Sequence, residues 1–165
     1  MEFVTKETSY NVFEEVPRLL RNFPQDDLRH FLSLGRVIHY KPYDVILTES
    51  EEPANAAYLI ASGRVIVSKD GVKLSELTQG DFMGEAFLFT QAARMATITA
   101  DTEVVVLRFG REDVLDYFRK KPEKLFKLFI LNIIDIQQRK IDALNIKFVE
   151  CRRNKDKETG DTYEY

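Results

Sequence analysis

One stretch of the sequence carries most of the information about fold and site: Gly80-Asp81-Phe82-Met83-Gly84-Glu85-Ala86-Phe87-Leu88-Phe89, followed by Ala93-Arg94-Met95-Ala96-Thr97. It lies between predicted strands and has room for one helical turn. Gly84 lets the backbone approach a ligand closely, and the turn after it presents N–H groups that suit an anion. Arg94 offers a forked cation for a phosphate. Glu85 would repel a phosphate unless it accepts a hydrogen bond from another group, such as a sugar hydroxyl. These residues together indicate a nucleotide.

Short apolar segments separated by turns surround this stretch between residues 35 and 109. We predict strands at 36–40, 45–48, 57–61, 64–68, 72–77, 94–100 and 103–109. Asp70-Gly71 predicts a two-residue hairpin, because glycine tolerates the positive φ of a type I′ turn. Many short strands at this spacing predict a double-sheet β structure, a jelly roll.

Helical patterns flank the predicted strands. Residues 11–34 favour two short helices broken at Asn22-Phe23-Pro24, and residues 113–120 favour another. A long helix is predicted from Pro122 to about Phe148. The expected fold is therefore mainly β, a jelly roll with N-terminal helices, a short helix within 80–97 and a long C-terminal helix. We expect one domain over residues 1–150 (N-terminal helices 11–34, jelly roll 35–109, C-terminal helices 111–150) and a polar tail over 151–165.

Composition excludes several classes of protein. The chain has 165 residues, 44% of them hydrophobic and 31% charged, which is typical of a globular domain. One cysteine and two histidines exclude a disulfide framework and a Cys/His zinc cluster, and we expect no metal. A net charge of −3 gives no electrostatic reason to bind nucleic acid. The absence of an apolar run of about 20 residues predicts no membrane span, and we expect a cytoplasmic protein.

No catalytic motif or nucleophile–base pair accompanies the predicted jelly roll. A jelly-roll enzyme of the cupin type would need histidine and carboxylate ligands for a metal inside the barrel. The two histidines, His30 and His39, fall on a predicted helix and on the first predicted strand. We therefore expect no enzyme.

Three segments, in order along the chain, resemble the cyclic nucleotide-binding domain family, the sensor module of catabolite-activator-type regulators, protein kinase A regulatory subunits and gated channels. The family's phosphate-binding cassette reads approximately Gly-Asp-x-Phe-Gly-Glu, two residues, Leu-Leu, and then Pro-Arg-(Ala/Ser/Thr)-Ala-Thr. Glu85 and Arg94 keep its separation of nine positions. Two upstream segments are similar to the family's Lys-Pro-Gly-Asp-x-Ile and Tyr-Ile-Ile-x-x-Gly-x-Val: Tyr40-Lys41-Pro42-Tyr43-Asp44-Val45-Ile46 and Tyr58-Leu59-Ile60-Ala61-Ser62-Gly63-Arg64-Val65. The resemblance covers most of residues 23–135.

The resemblance implies a sensor that binds a cyclic nucleotide and passes its ligand state to an effector protein. By similarity, Arg94 binds the exocyclic oxygens of the cyclic phosphate, and Glu85 holds the ribose 2′-hydroxyl. Gly84 and the N–H groups of Ala86 and Phe87 complete the cradle. Met95 and Ala96 follow beside the ligand, and the long helix covers the base.

The resemblance also bears on the base. Family members that prefer cyclic GMP commonly carry threonine or serine after the cassette arginine, where this chain has Met95. A methionine offers guanine no hydrogen-bond donor and only a weak acceptor. We therefore expect cyclic AMP to be preferred over cyclic GMP.

The chain departs from the family pattern at four positions: Phe87 replaces a small residue, Ala93 a proline, and Tyr43 and Ser50 a glycine each. Phe87 matters most, because its side chain either points into the core or closes the pocket. The alternative function is a degenerate jelly-roll scaffold or dimerisation module, in which Glu85 and Arg94 pair with each other.

The long helix changes character along its length. Its first half is apolar almost all round, and a heptad-like stripe then follows at Ile134, Ile141, Leu144 and Phe148, with Gln137 at the remaining seam position. Two interpretations stay open: the helix lies on its own barrel, or residues 125–148 also form a homodimer. About fifteen polar residues after it leave no room for a helix-turn-helix, so we expect no specific DNA binding.

Overall fold

In the computed structural model of the chain, which describes residues 13, 15–50, 55–88 and 93–159, eight strands form two antiparallel sheets. The first sheet has the order β1-β8-β3-β6 and the second has the order β2-β7-β4-β5. The strands are β1 (Arg36–Tyr40), β2 (Val45–Leu47), β3 (Ala56–Ser62), β4 (Val65–Lys69), β5 (Val72–Leu77), β6 (Phe82–Met83), β7 (Thr97–Ala100) and β8 (Val104–Gly110). This architecture confirms the predicted jelly roll.

The predicted hairpin joins β4 to β5. Lys69 pairs with Val72, and the two residues between them have positive φ angles of 49° for Asp70 and 76° for Gly71. Two successive positive φ values are the requirement of a type I′ turn. The dipeptide therefore fixes this connection locally.

Helical elements flank the sheets. They are a 3₁₀ turn at Arg18–Leu20, α1 (Gln25–Ser33), a second 3₁₀ turn at Glu85–Leu88 that we call the cassette turn, α2 (Arg111–Arg119) and α3 (Glu123–Thr159). The helical pattern is interrupted at Asn22, where the prediction put the break, and the φ angle of this residue is 65°. The part of the predicted first helix at residues 11, 12 and 14 lies outside the described residues.

The long helix extends past its predicted end at about Phe148, so that part of the prediction is wrong. Residues 151–159 continue α3, while residues 160–165 lie outside the described part of the chain. The segment after Phe148 contains no glycine or proline before position 160 and is rich in arginine, lysine and glutamate, which favour helix. The apolar stripe therefore ends before the helix does.

Two apolar clusters hold the fold together. One lies between the two sheets and includes Ile60, Val65 and Val106, all fully buried. The other lies between the first sheet and the helices and is rich in aromatic rings: Phe31, Phe82, Phe87, Phe109, Phe118 and Phe129. The second cluster attaches the helices to the sheet that carries β6, and so fixes the position of the cassette turn.

The first half of α3 is anchored in the helical cluster. Leu125, Phe129 and Ile133 are buried there. Asn132 is also buried, and its Nδ2 donates hydrogen bonds to the carbonyls of Leu19 at 2.9 Å and Arg21 at 3.0 Å. From residue 141 onward every described α3 side chain is exposed. The helix is therefore firmly held at its start, and its later turns reach the barrel through individual polar contacts.

Candidate functional site

The site forms where β6 ends and the cassette turn begins. Gly84 stands at that point with a φ of +80°, a conformation that glycine adopts without steric cost. A Cβ atom built there would lie 2.8 Å from Nη1 of Arg94 and 3.2 Å from the carbonyl oxygen of Ala56. Both the backbone angle and the crowding therefore require glycine at this position.

Arg94 lies behind this glycine and is only 8% exposed. Its Nη2 donates to the carbonyl of Ala56 at 2.8 Å, and its Nη1 donates to the carbonyl of Gly84 at 3.3 Å. These bonds tie the guanidinium to β3 on one side and to the cassette turn on the other. A guanidinium has five N–H donors and stays charged at any physiological pH, so this is a fixed positive charge beside the turn.

Glu85 faces α3. Its Oε1 accepts a hydrogen bond from Nζ of Lys140 at 2.8 Å and another from Nε2 of Gln137. Burial raises the pKa of Glu85, but the charge of Lys140 and the hydrogen bonds outweigh that effect and bring the pKa below its usual 4.5. The carboxyl group is therefore ionised at neutral pH. The sequence left open a pair between Glu85 and Arg94. In the described residues, Glu85 instead forms its ion pair with Lys140.

Phe87 points into the core. It is 1% exposed and its ring packs edge-on against Phe82, with 6.2 Å between centroids. Of the two alternatives for this side chain, the structure has the one in which it packs into the core. The backbone N–H of Phe87 donates to the carbonyl of Gly84 at 3.1 Å, so this amide closes the turn itself.

The strand after Arg94 begins later than predicted, at Thr97 rather than at residue 94. Met95 is 80% exposed, and its carbonyl accepts a hydrogen bond from Nζ of Lys69 at 3.1 Å. Ala96 is half-buried. The carbonyl of Arg94 accepts the backbone N–H of Ser50 at 2.8 Å, so a neighbouring turn holds this segment in place.

The structure brings Gly84, Glu85 and Arg94 together as predicted neighbours, with Ala86 in the same turn. It adds two residues of α3, Lys140, which the sequence prediction missed, and Gln137, which was predicted at the seam of the stripe and instead donates to Glu85. A signal for Lys140 exists in the sequence: position 140 lies seven residues, two helical turns, after the buried Ile133 and so continues the barrel-facing side of the helix. A lysine on that side must find a polar partner on the barrel.

The arrangement offers a fixed cation, a glycine where a ligand can approach the backbone, and an ionised carboxylate. That combination suits a ligand with an anionic group and a hydroxyl. Among residues 13, 15–50, 55–88 and 93–159, no three histidine, cysteine, aspartate or glutamate side chains converge as metal ligands. Within the same ranges, each helix is too short or too polar to cross a bilayer.

Comparison with known proteins identifies similar sequences. A family model described as the cyclic nucleotide-binding domain matches residues 37–121. The cGMP-dependent 3′,5′-cGMP phosphodiesterase A of Dictyostelium discoideum is 31% identical over 136 residues, which is 81% of this chain and 15% of that protein. A cAMP-dependent protein kinase regulatory subunit of Aspergillus niger is 34% identical over 106 residues, 62% of this chain and 25% of that protein. The chain thus spans a quarter or less of these two relatives.

Solved structures share the fold. A cyclic nucleotide-binding domain from Methylobacillus flagellatus KT superposes with a TM-score of 0.74 at 17% identity, covering 85% of this chain and 84% of that one. At this identity the likeness concerns the fold alone. It extends over the jelly roll together with flanking helices, since the jelly roll by itself is shorter than the covered length.

Proposed function

The chain belongs to the cyclic nucleotide-binding domain family, and from that premise we propose that it is a non-enzymatic sensor that binds a cyclic nucleotide between the cassette turn and Arg94. The observation that carries this proposal is the contact between the Arg94 guanidinium and the carbonyl of Gly84, at 3.3 Å. A fixed cation therefore lies beside a backbone segment that a phosphate could approach closely.

The phosphate is assigned to Arg94 and to the backbone of Gly84 and Ala86. The amide of Phe87 already donates within the turn, so Phe87 contributes mainly as the apolar anchor of the cradle. An arginine suits a cyclic phosphate because its planar fork can bond two oxygens at once. The site needs no metal in this proposal.

The ribose is assigned to Glu85. An ionised carboxylate is acceptor-only, so it pairs naturally with the 2′-hydroxyl, the only free hydroxyl group of a 3′,5′-cyclic ribose phosphate. The lowered pKa of Glu85 supports this role, because the carboxylate stays ionised at the pH at which it would bind the hydroxyl.

The base is assigned to the surface formed by Met95, Ala96 and α3, with cyclic AMP preferred. The Met95 side chain is 80% exposed and has no hydrogen-bond donor. Adenine can stack on it, whereas guanine would leave polar edge groups unpaired, so we expect a preference of about tenfold or more.

We assign to α3 the role of passing the ligand state to an effector protein. Its exposed stripe consists of Ile134 (56% exposed), Ile141 (50%), Leu144 (48%) and Phe148 (64%), at heptad-like spacing. This supports a homodimer through residues 125–148, from which the ligand state of a cytoplasmic sensor passes to an effector protein. Lys147 also donates to the carbonyl of Leu74 at 2.9 Å, so the helix stays alongside its own barrel while presenting the stripe.

Calorimetric titration of the purified chain tests the proposed function. We expect saturable heat with cyclic AMP, weaker binding of cyclic GMP, and no binding of linear 5′-AMP at the same concentrations. Heat that is absent for both cyclic nucleotides at millimolar ligand, together with an unchanged melting temperature, would overturn the proposal and favour the degenerate scaffold.

A further inference from the structure

Two donors from α3 converge on a single oxygen of Glu85. Nζ of Lys140 and Nε2 of Gln137 both bond to Oε1, and among the described residues no side chain donates to Oε2. A carboxylate can accept about four hydrogen bonds in total. The carboxylate therefore holds α3 with one oxygen and can accept a further donor with the other.

We propose that Lys140 is a positioning residue of the ribose site: it holds and neutralises the Glu85 carboxylate so that Oε2 can accept the 2′-hydroxyl of an anionic nucleotide. The inference rests on the proposed function. Lys140 does not touch the ligand in this assignment and acts only through Glu85.

The geometry explains how Lys140 fixes the carboxylate. Its ammonium group bonds Oε1 of Glu85 at 2.8 Å and the carbonyl of Phe82 at 3.3 Å, so it is held by residues on both sides of Gly84. The side chains of Glu85 and Lys140 are 22% and 34% exposed, respectively, which limits screening by water. A carboxylate held in this way has little conformational freedom left, so ligand binding has little further entropy to remove from it.

The charge explains why a cation is needed there. A bare carboxylate beside a phosphate site repels the phosphate, and this repulsion opposes the hydrogen bond that the same carboxylate makes to the ribose. Pairing Glu85 with Lys140 removes the net negative charge while leaving an acceptor oxygen. The lowered pKa of Glu85 agrees with an ion pair that persists at neutral pH.

Sharing Glu85 also couples the ligand to α3. A ligand that orders the carboxylate strengthens the anchor of the helix, and an anchored helix in turn strengthens ligand binding by the same factor. Through this coupling, binding of the ribose would change how firmly α3 is held against the barrel.

The test compares cyclic AMP with 2′-deoxy-cyclic AMP on the full chain, with thermal unfolding as the check on folding. Wild-type protein should bind the deoxy ligand about tenfold more weakly, the loss expected for one hydrogen bond to a charged group. Lys140→Met should bind cyclic AMP about tenfold more weakly and discriminate between the two ligands by less than about threefold. Lys140→Arg should restore most of the discrimination.

Lys147→Met is the matched control, because Lys147 also ties α3 to a barrel carbonyl but lies away from Glu85. It should keep the full discrimination between the two ligands. If Lys140→Met retains wild-type discrimination, or binds cyclic AMP more tightly than wild type, the inference is overturned. Failure of wild-type protein to bind either ligand would instead refute the proposed function on which it rests.

Discussion

The guanidinium of Arg94 occupies the space that a side chain at position 84 would need. A Cβ atom on Gly84 would lie 2.8 Å from Nη1 of Arg94. The two residues are ten positions apart, yet each determines what the other can be. The glycine allows the arginine to reach the carbonyls of Ala56 and Gly84, and the arginine in turn leaves no room for any larger residue.

Gly84→Ala should therefore destabilise the protein by at least about 1–2 kcal/mol and weaken cyclic AMP binding by more than about tenfold, because it strains the backbone and displaces Arg94. Gly80→Ala is the matched control: Gly80 has a similar φ of +85° and nothing within 4 Å of its hypothetical Cβ. It should cost about 1–2 kcal/mol of stability from backbone strain alone and leave ligand affinity unchanged. Urea unfolding and calorimetric titration measure the two effects, and equal losses of affinity in both variants would contradict this account.

Tyr43→Gly should stabilise the protein. Tyr43 holds a φ of 74° and is 83% exposed, so its side chain strains the turn while contributing little packing. Relieving the left-handed conformation stabilises the folded state by about 1–2 kcal/mol. The added flexibility of glycine in the unfolded chain offsets about 0.5–1 kcal/mol of this, which leaves a net gain of up to about 1.5 kcal/mol. Tyr43→Ala retains the β carbon and should give no gain. A stability loss for the glycine variant in urea unfolding would be the opposite of the expected result.

The ion pair between Glu85 and Lys140 should make stability depend on pH. The pKa of Glu85 in the folded protein lies below 4.5, so its stabilising contribution is present above that pH and is lost as the pH falls through the lower, folded-state pKa. Lys140→Met should accordingly be less stable than wild type at neutral pH, and the difference should shrink as the pH falls through the folded-state pKa of Glu85. Urea unfolding at several pH values tests this, and a difference that stays constant with pH would count against the ion pair.

The exposed stripe on α3 should mediate self-association. Ile141→Glu places a carboxylate in the seam and should convert a dimer to a monomer in sedimentation velocity. Ile146→Glu is the control, because Ile146 is also exposed (61%) but points about 140° away from Ile141 around the helix. It should leave the dimer intact. Wild-type protein that remains monomeric at high micromolar concentration would exclude the homodimer.

Met95→Thr should narrow the preference for cyclic AMP over cyclic GMP, because the new hydroxyl can bond the guanine edge that methionine leaves unpaired. The change should come from tighter cyclic GMP binding, since adenine needs no hydroxyl at this position. Competition titrations with both nucleotides give the two affinities. If the ratio is unchanged, or if wild-type protein already binds both equally, residue 95 does not discriminate between the bases.

Local patterns predicted the elements that local physics determines. The strands β1 and β5 have the bounds expected from the sequence, since turn signals precede both, Gly35 before β1 and Asp70-Gly71 before β5. The strand β6 was missed because two residues, Phe82 and Met83, carry no periodic pattern, and only pairing with β3 makes them a strand. The predicted end of α3 is too early because the apolar periodicity stops at Phe148, whereas polar helix-forming residues continue the helix to Thr159.

The candidate site was predictable only in part, because some of its contacts join residues that are far apart in the sequence. Glu85 and Arg94 lie in one short stretch, so their spacing suggested a common ligand. The contact of Glu85 with Lys140 joins residues 55 positions apart, and no local pattern links them. The direction of the Phe87 side chain likewise depended on the ring of Phe82 and the surrounding core rather than on its own position in the sequence.

The most direct test of the central claim is a ¹⁵N–¹H correlation spectrum of the labelled full chain recorded during titration with cyclic AMP, with linear 5′-AMP as the control. The amides of Gly84, Glu85 and Ala86 and the side-chain Nε–H of Arg94 should shift with cyclic AMP and stay in place with 5′-AMP. A spectrum in which these signals do not move at millimolar cyclic AMP, or in which the shifts cluster away from the cassette turn, would contradict the account.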